Sequence, residues 1–376
     1  MNSQVFEHIG PGCPACGTGR LGVRQELRAE GGEIVEGLIE CHNSGCRHLY
    51  PIIDGIPILV RDLRRTVSEQ VLGIMARTDL SETLLGLVGE CCGPASSFDS
   101  LRQHISTYAF SHWGDLDPLE ALNGAAGRSA TQILDKGLDR VAASSPIVGP
   151  VLDLGCSVGR TTIRLAQRLG PGAAPVVGVD LNFAMLRVAR EAAINGRVSY
   201  ARRAGGLVYE RREFSVPAVT AGGIEFWCAD ALSLPFQPGS FGLVVSLNLL
   251  DCVAAPRDHL ASIHDLLRPG GRALLATPFD WSAAATAPEA WIGGHSPYDA
   301  HQGRGERVIR SLLSGEHPGS ISGLRLVDEI DRLPWMVRLH DRSSVHYETD
   351  LFVLAREGGA SEHELMRKDA GALTSG

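Results

Sequence analysis

The sequence has no uninterrupted apolar run approaching the roughly 18 residues that span a membrane, and residues 1–10 have no basic-then-apolar signal pattern. It also has no excess of positive charge, because 35 Lys and Arg stand against 43 Asp and Glu, a net charge of -8. These absences argue against a membrane protein and against a broad phosphate-binding surface. With 376 residues, 44% hydrophobic and 21% charged, the composition predicts a cytoplasmic globular protein with one large and one small domain.

The nine cysteines do not have the spacing of a disulfide framework. Four of them form two close pairs, Cys13-Pro-Ala-Cys16 and Cys41-His-Asn-Ser-Gly-Cys46. Each pair suits a short turn between strand-like segments, so four thiolates can surround one Zn²⁺ tetrahedrally. We therefore predict a zinc ribbon over residues 1–62, with a structural zinc ion supplying stability that so small a core lacks. A ribbon that binds no metal is the alternative.

Residues 63–145 have helical spacing and are predicted to form a linker and cap, with helices over residues 68–76, 81–91, 97–112 and 127–143. Cys91 and Cys92 end the second of these helices, which is apolar, and are predicted to be buried thiols. Tyr108 and His112 stand four residues apart and share a helix face. They are candidates for a ligand pocket, and core packing is the alternative for both.

A strand, a glycine-containing turn and a helix begin the large domain. Residues 151–154 are rich in apolar side chains and are predicted to form a strand, and residues 161–169 have helical spacing without a breaker. Such a turn brings backbone N–H groups close to a ligand. It has Gly155 and Gly159 but Ser157 at its centre, so it does not fit the dinucleotide pattern G-x-G-x-x-G.

Further predicted strands each end in polar residues. Residues 176–180 end in Asp180, at the right distance beyond the turn to accept hydrogen bonds from both ribose hydroxyls of a nucleoside. Residues 224–228 precede Asp230-Ala231, and residues 241–247 precede Asn248-Leu-Leu-Asp251. An open α/β sheet binds its ligands at the carboxyl ends of its strands, so these acids are predicted to share one site.

Asp153-x-Gly155-x-x-x-Gly159 resembles the first motif of class I methyltransferases. The resemblance implies a Rossmann-like α/β fold over residues 146–358, with the seven-stranded sheet of that class and a final antiparallel pair at 324–329 and 347–356. It implies S-adenosylmethionine as the cofactor, whose adenine amino group would meet Asp230 while a backbone N–H near Ala231 reads the ring. The predicted cofactor-binding residues are Asp153, Gly155, Cys156, Ser157, Gly159, Asp180, Leu181, Met185, Asp230, Ala231 and Asn248.

About thirty residues, 196–223, separate the second helix of this domain from its third strand. A structureless loop of that length is uncommon in a compact domain. We predict an inserted hairpin near the mouth of the pocket. A solvated basic hairpin is the alternative, because the segment contains four arginines beyond Gly196-Arg197.

A narrower resemblance concerns the methyl acceptor. Several segments are similar to the methyltransferase domain of ovothiol synthases: Tyr108…His112-Trp-Gly, Gly155-Cys-Ser-Val-Gly-Arg160, Thr277-Pro-Phe-Asp-Trp281, Pro288-Glu-Ala-Trp-Ile-Gly-Gly294 and Leu333-Pro-Trp-Met-Val-Arg338. The segment Leu249-Leu250-Asp251 is similar both to these enzymes and to carnosine N-methyltransferases. Both families methylate an imidazole ring nitrogen. The resemblance implies a small-molecule substrate, Asp251 as the catalytic residue, and substrate contacts from Tyr108, His112, Asp251, Trp281, Trp291 and Arg338.

A carboxylate such as Asp251 fixes an imidazole tautomer by accepting one N–H, which leaves the other nitrogen free to attack. Trp281 and Trp291, with Asp280 and Trp335, would wall the pocket, and Arg338 would meet a substrate carboxylate bidentately. A helix N-cap is the alternative for Asp251, and packing is the alternative for the others.

Residues 50–60 resemble the closing strand of the zinc-ribbon family that activates tRNA and protein methyltransferases as a separate subunit. A protein partner for the ribbon is therefore one interpretation, and packing on the catalytic domain is the other. RNA methylation and a non-catalytic binding module are the alternative functions. Four arginines against seven acids in residues 1–60, a net of -3, argue against RNA. Residues 359–376 are predicted to be a disordered tail, and the pattern does not indicate an oligomeric state.

Overall fold

The structure is a computed structural model that describes residues 1–78, 80–121, 129–143, 146–217 and 223–358. The predicted tail and the start of the helix predicted at residue 127 lie outside the described residues. The first element is one helix, and a small four-stranded antiparallel sheet in the order β1-β2-β3-β4 follows it. Its elements are α1 (Ser3–Ile9), β1 (Leu21–Glu30), β2 (Glu33–Cys41), β3 (Leu49–Ile53) and β4 (Ile56–Pro57).

Five helices follow: α2 (Leu63–Met75), α3 (Glu82–Cys92), α4 (Ser97–Trp113), α5 (Pro118–Ala121) and α6 (Ser129–Ala142). Side-chain caps from Asp62, Ser81 and Ser96 begin the first three of them. The predicted burial of Cys91 and Cys92 is wrong, because both thiols are exposed. The reason is that α3 packs along a narrow face, on which only glycine is fully buried. Among the described residues, no helix combines the length and apolarity needed to cross a bilayer.

The large sheet has seven strands in the order β12-β13-β11-β10-β5-β6-β9, and only β13 runs antiparallel to its neighbours. This order confirms the predicted Rossmann-like class I methyltransferase sheet. Its last two strands are longer than predicted and continue together as a twisted hairpin. The elements of this region are β5 (Val151–Leu154), α7 (Arg160–Leu169), β6 (Val176–Asp180), α8 (Phe183–Asn195), β7 (Arg197–Gly205), β8 (Val208–Ser215), β9 (Ile224–Cys228), β10 (Phe241–Leu247), α9 (Pro256–Leu266), β11 (Leu267–Thr277), α10 (Gly305–Ser314), β12 (Leu324–His340) and β13 (Ser343–Arg356).

The small sheet packs on the edge of the large one. The Leu59 N–H donates to the Cys228 carbonyl at 2.8 Å, and Ile58 forms a parallel bridge with the same residue of β9. Phe6 of α1 lies against Trp227, with 5.5 Å between ring centroids. The two sheets therefore share one apolar core, which also contains Tyr50.

The predicted insertion between α8 and β9 is the antiparallel hairpin β7–β8. Two of its arginines, Arg202 and Arg212, are paired inside the protein rather than solvated, whereas Arg211 is exposed as the alternative interpretation held. Arg212 is buried and donates to both oxygens of Asp117, at 2.7 and 2.8 Å. Arg202 reaches Glu120, also buried, at 2.5 Å and Asp341 at 2.9 Å. Buried carboxylates require such countercharges, so these pairs hold the hairpin against α5 and the end of β12.

Candidate functional site

A crevice lies at the carboxyl ends of the central strands, where β5 has β6 on one side and β10 on the other. The turn after β5 has positive φ at Gly155 (72°), Ser157 (52°) and Gly159 (79°). A Cβ at position 159 would stand 2.5 Å from the Cβ of Ala189 on α8. Only glycine lets the turn pack this closely on α8, which exposes the backbone at the start of α7 to the crevice.

Two of the predicted cofactor residues lie beneath this turn. One oxygen of Asp153 accepts hydrogen bonds from the hydroxyls of Thr161 and Thr162, both at 2.7 Å. Burial raises the pKa of Asp153 to about 6, and its side chain is inaccessible. The Cys156 side chain is also fully buried, in the core between the sheet and α8. These two side chains point into the protein and support the turn, so only the backbone of these predicted cofactor residues is available to a ligand.

Asp180 ties the turn to the end of β6. Its two oxygens accept hydrogen bonds from the Ser157 N–H at 2.9 Å and the Asn182 N–H at 2.8 Å. Burial raises its pKa. The next residue, Leu181, is half exposed, and its carbonyl accepts from the Gln70 amide of α2 at 2.7 Å. The predicted ribose-binding residue therefore has a fixed orientation beside an open apolar side chain.

Asp230 follows the neighbouring strand β9. Its carboxylate accepts from the Leu232 N–H at 2.9 Å, which shapes the turn that contains Ala231. The Ala229 N–H donates to the Asp180 carbonyl at 3.2 Å, so the ends of β6 and β9 are joined directly. Met185 is buried, and its sulfur accepts from the Ser157 hydroxyl at 3.4 Å. Asp180 and Asp230 thus lie at adjacent strand ends, with Met185 under the turn.

Two buried polar atoms beside the glycine turn have no hydrogen-bond partner, Nδ1 of His112 and one terminal nitrogen of Arg160. Burial and the neighbouring Arg160 lower the pKa of His112 to about 3, so its imidazole is neutral. Arg160 lies over the Trp113 ring at 4.7 Å, and the indole N–H of Trp113 donates to the Val158 carbonyl at 3.0 Å. The structure therefore puts His112, which was predicted to contact substrate, at the glycine turn. Sequence reasoning missed Arg160 as a ligand-binding candidate.

Asp251 lies after β10 in a short 3-10 turn and is only 4% exposed. One of its oxygens accepts from the Asp280 N–H at 2.9 Å, and the other has no partner. Burial raises the pKa of its carboxyl. The alternative of a helix N-cap is wrong, because α9 begins after Ala255 without a side-chain cap. Asn248 begins this turn in the left-handed conformation, with φ at 52°.

Tyr108 joins the two halves of the crevice. Burial is the main cause that raises the pKa of its phenol, and the next contributions come from Cys252, Asp180, Tyr347 and Asp251. Tyr108 of α4 is therefore within electrostatic range of acids that follow both β6 and β10, and the part of the crevice beside it is called the hollow. Tyr347 of β13 was not identified from the sequence. Its pKa is raised to about 12 by burial and by its interaction with Asp280.

Trp281 and Trp291, the predicted wall of the pocket, lie beside each other near the turn that contains Asp251. Their rings stack with 6.3 Å between centroids and 13° between planes. The Trp291 indole N–H donates to the Thr286 carbonyl at 2.9 Å, and the Thr286 hydroxyl donates to the Val253 carbonyl at 2.7 Å. These bonds hold the wall to the turn that contains Asp251. Trp335 instead packs in the core between the sheet and α6, so its predicted place in the wall is contradicted.

The structure contradicts the prediction that Arg338 meets a substrate carboxylate. Its guanidinium lies 2.5 Å from a carboxylate oxygen of Glu120 and 3.7 Å from the Phe110 ring centroid. Glu120 is fully buried and requires countercharge from inside the protein. Arg338 supplies part of it, so its guanidinium already faces a carboxylate of the protein.

The four predicted metal ligands converge. The Sγ atoms of Cys13, Cys16, Cys41 and Cys46 all lie within 4.8 Å of one another, with 3.9 Å between Cys13 and Cys46 and 3.8 Å between Cys16 and Cys41. Tetrahedral ligands at about 2.3 Å from zinc are about 3.8 Å apart, so the donor set fits Zn²⁺. A Cβ at Gly19 would stand 2.2 Å from the Cys41 sulfur, which explains glycine at that position.

A separate cavity of about 550 Å³ lies between α2, α3, α4, α8 and the β7–β8 hairpin. Phe98, Arg102 and Tyr209 are among its walls, whereas Asp180, Asp230 and Asp251 are not. It is therefore distinct from the crevice at the strand ends.

The strand order is that of the Rossmann-like class I methyltransferase fold, and polar groups that follow β6, β9 and β10 lie at the same end of the sheet. Residues 152–275 match the family model described as a methyltransferase domain. This part of the chain is therefore similar to a methyltransferase domain.

Among curated proteins, the chain is similar to O-methyltransferase cnsE of Penicillium expansum, with 32% identity over 50% of this chain and 57% of that protein. It is also similar to the malonyl-[acyl-carrier protein] O-methyltransferase of Marinomonas sp., with 28% identity over 44% of this chain and 52% of that protein. The chain thus spans only about half the length of these relatives. A solved structure of the Synechocystis magnesium protoporphyrin IX methyltransferase with bound SAH matches with 19% identity and a TM-score of 0.40, covering 69% of this chain and 98% of that one.

Proposed function

We propose that this protein is an S-adenosylmethionine-dependent methyltransferase that acts on a small molecule, namely an imidazole ring nitrogen of a histidine or thiohistidine derivative. The observation that supports the acceptor is the unpartnered, buried carboxylate oxygen of Asp251, in the hollow that Tyr108 shares with Asp180. A buried acceptor atom without a partner is costly unless a ligand supplies a donor.

The residues present fit S-adenosylmethionine. Asp180 would hold the ribose, and Asp230 with the backbone near Ala231 would hold the adenine. The unpartnered nitrogens of Arg160 and His112 lie beside the glycine turn, where they would hold the amino-acid end. When bound, this cofactor supplies an electrophilic methyl group on a sulfonium sulfur.

The protein's contribution to the reaction is to orient the acceptor and exclude water. Asp251 accepts the N–H of one imidazole nitrogen, so the lone pair of the other nitrogen points toward the methyl carbon. The bound cofactor would supply the methyl group to this nitrogen, and it would leave as a thioether that keeps the electron pair of the broken C–S bond. Asp251 also stabilises the positive charge that develops on the ring, and the ring N–H proton then leaves to Asp251 or water.

A methyl-transfer assay tests this function directly. Labelled S-adenosylmethionine is offered with histidine, thiohistidine, carnosine or bulk tRNA, and the products are separated by mass. We expect label on the imidazole nitrogen of at least one small acceptor and none on tRNA. Label on tRNA alone, together with a mobility shift of tRNA at moderate salt, would favour RNA methylation instead.

The cofactor half of the site has its own prediction. Asp180→Ala removes the carboxylate that faces the ribose, and we expect S-adenosylmethionine affinity to fall about ten-fold or more through lost charged hydrogen bonds. Calorimetric titration measures the change, with the exposed Asp265→Ala as the matched control. Superimposable titrations of wild type and Asp180→Ala would refute the assignment. A wild type that does not bind the cofactor would favour a non-catalytic module.

A further inference from the structure

The part of the crevice around Asp251, where the acceptor is proposed to bind, has mainly negative charge. Asp251 and Asp280 face the hollow from two turns that are joined by the hydrogen bond between the Asp280 N–H and Asp251. The thiol of Cys252 is exposed at the same place, and partial desolvation within the crevice and the negative charges of Asp251, Asp280 and Asp180 raise its pKa to about 12. Tyr108 and Tyr347 are influenced by the same acids. Among the described residues, the charged groups that most affect the pKa values of Cys252, Tyr108 and Tyr347 include no arginine or lysine.

The nearest candidate cations are committed elsewhere. Arg338 lies against Glu120 and over Phe110, and Arg160 pairs with Asp115 at 3.4 Å through one nitrogen, while its other terminal nitrogen is the one proposed to hold the cofactor beside the glycine turn. The hollow therefore offers a substrate carboxylate no countercharge from a side chain of the described region. A carboxylate placed between Asp251 and Asp280 would be repelled by both.

A cation meets the opposite conditions there. Asp280 is exposed at the mouth of the hollow, and the partnered Tyr347 fixes one side of it. Trp281 follows Asp280 directly and stacks on Trp291, which also has the His295 ring 6.3 Å away, so aromatic rings of the kind that attract ammonium groups lie next to Asp280. The unpartnered oxygen of Asp251, in a residue that is 96% buried, provides the second, deeper negative group that a bound ring N–H would satisfy.

We propose that the acceptor is an imidazole that has an alkylammonium arm and no carboxylate, with the ring on Asp251 and the ammonium between Asp280 and the tryptophan pair. This inference rests on the proposed function and adds the charge of the substrate to it. Among histidine derivatives, those that keep the carboxylate are then methylated more slowly than those without it, because the carboxylate shares the hollow with two aspartates.

Three probes separate the two charges: histamine has the ammonium only, histidine has both groups, and imidazole-4-propionate has the carboxylate only. We expect kcat/KM for histamine to exceed that for histidine by roughly ten- to a hundred-fold, because a like charge a few ångströms away costs about 1.4 kcal/mol or more at intermediate dielectric. Imidazole-4-propionate should be the poorest of the three.

Asp280→Asn should narrow the histamine-to-histidine ratio about ten-fold while S-adenosylmethionine affinity remains unchanged. Glu289→Gln removes one exposed negative charge from the same loop outside the hollow and is the matched control. Equal turnover of histamine and histidine, or an unchanged ratio in Asp280→Asn, would overturn the charge inference while leaving imidazole methylation intact. Absence of turnover with all three probes, with the cofactor bound normally, would instead refute the proposed acceptor class.

Discussion

Asp251→Asn should lower kcat with the best imidazole acceptor by about 10²–10³, because one charge-assisted contact in a water-excluded site contributes on the order of 3–4 kcal/mol to transition-state stabilisation. The amide keeps the size of the side chain and one acceptor oxygen, so the Asp280 N–H can remain bonded. It cannot balance the positive charge that develops on the ring. Steady-state kinetics with mass detection of the methylated product measure the effect.

The same variant should bind S-adenosylmethionine with wild-type affinity, since Asp251 lies on the acceptor side of Tyr108. Asp258→Asn, an exposed residue in the first turn of α9, is the matched control and should leave both properties unchanged. Equal turnover in Asp251→Asn and wild type would remove Asp251 from the mechanism. A parallel loss of cofactor binding would show that its role is structural.

The central sheet could be predicted because its strands are short apolar runs with polar residues at their carboxyl ends. Phe241–Leu247 is buried at every position, and Val176–Asp180 is buried until its final acid. Local patterns of this kind depend on neighbours in sequence, so the sequence contains them directly. The cysteine pairs are similar, because each pair is a local turn and only the convergence of the two requires the fold.

The roles of charged residues were harder to predict because they depend on distant partners. The sequence suggested that Arg338 binds a substrate, but Arg338 forms an ion pair with Glu120, more than two hundred residues earlier. The same acid pairs with Arg202, 82 residues away. A long-range pair of this kind has no local signature. Tyr347 was missed for the same reason, since only the antiparallel return of β13 brings it to Asp280.

The resemblance of Leu249-Leu250-Asp251 to imidazole N-methyltransferases pointed to a possible role for Asp251 because this segment directly follows a predicted strand. The side chain could have capped a helix, and sequence alone left that alternative open. The structure distinguishes the two, because α9 begins five residues later and the second carboxylate oxygen remains without a partner. The proposed imidazole acceptor would donate its ring N–H to that oxygen, so turnover of Asp251→Asn is the most direct test of the acceptor.

Cys41→Ser should have the largest effect on stability. We propose that the four cysteines hold one structural Zn²⁺, and binding of zinc by small domains contributes about 10–16 kcal/mol near neutral pH, much of it as folding free energy. We expect zinc content to fall from one ion per chain toward none, and the apparent unfolding temperature to fall by ten degrees or more. Elemental analysis and differential scanning calorimetry measure the two quantities.

The effect should extend beyond the ribbon, because its core is continuous with that of the large sheet through Phe6 and Trp227, and Leu59 pairs with the edge strand β9. Asp230 follows β9 directly, so loss of the ribbon should also weaken S-adenosylmethionine binding, and a chelator should reproduce both effects in wild type. Cys91→Ser, an exposed thiol outside the cluster, is the control and should change neither. Wild type without stoichiometric zinc, or a Cys41→Ser protein as stable as wild type, would show that the ribbon folds on its apolar core alone.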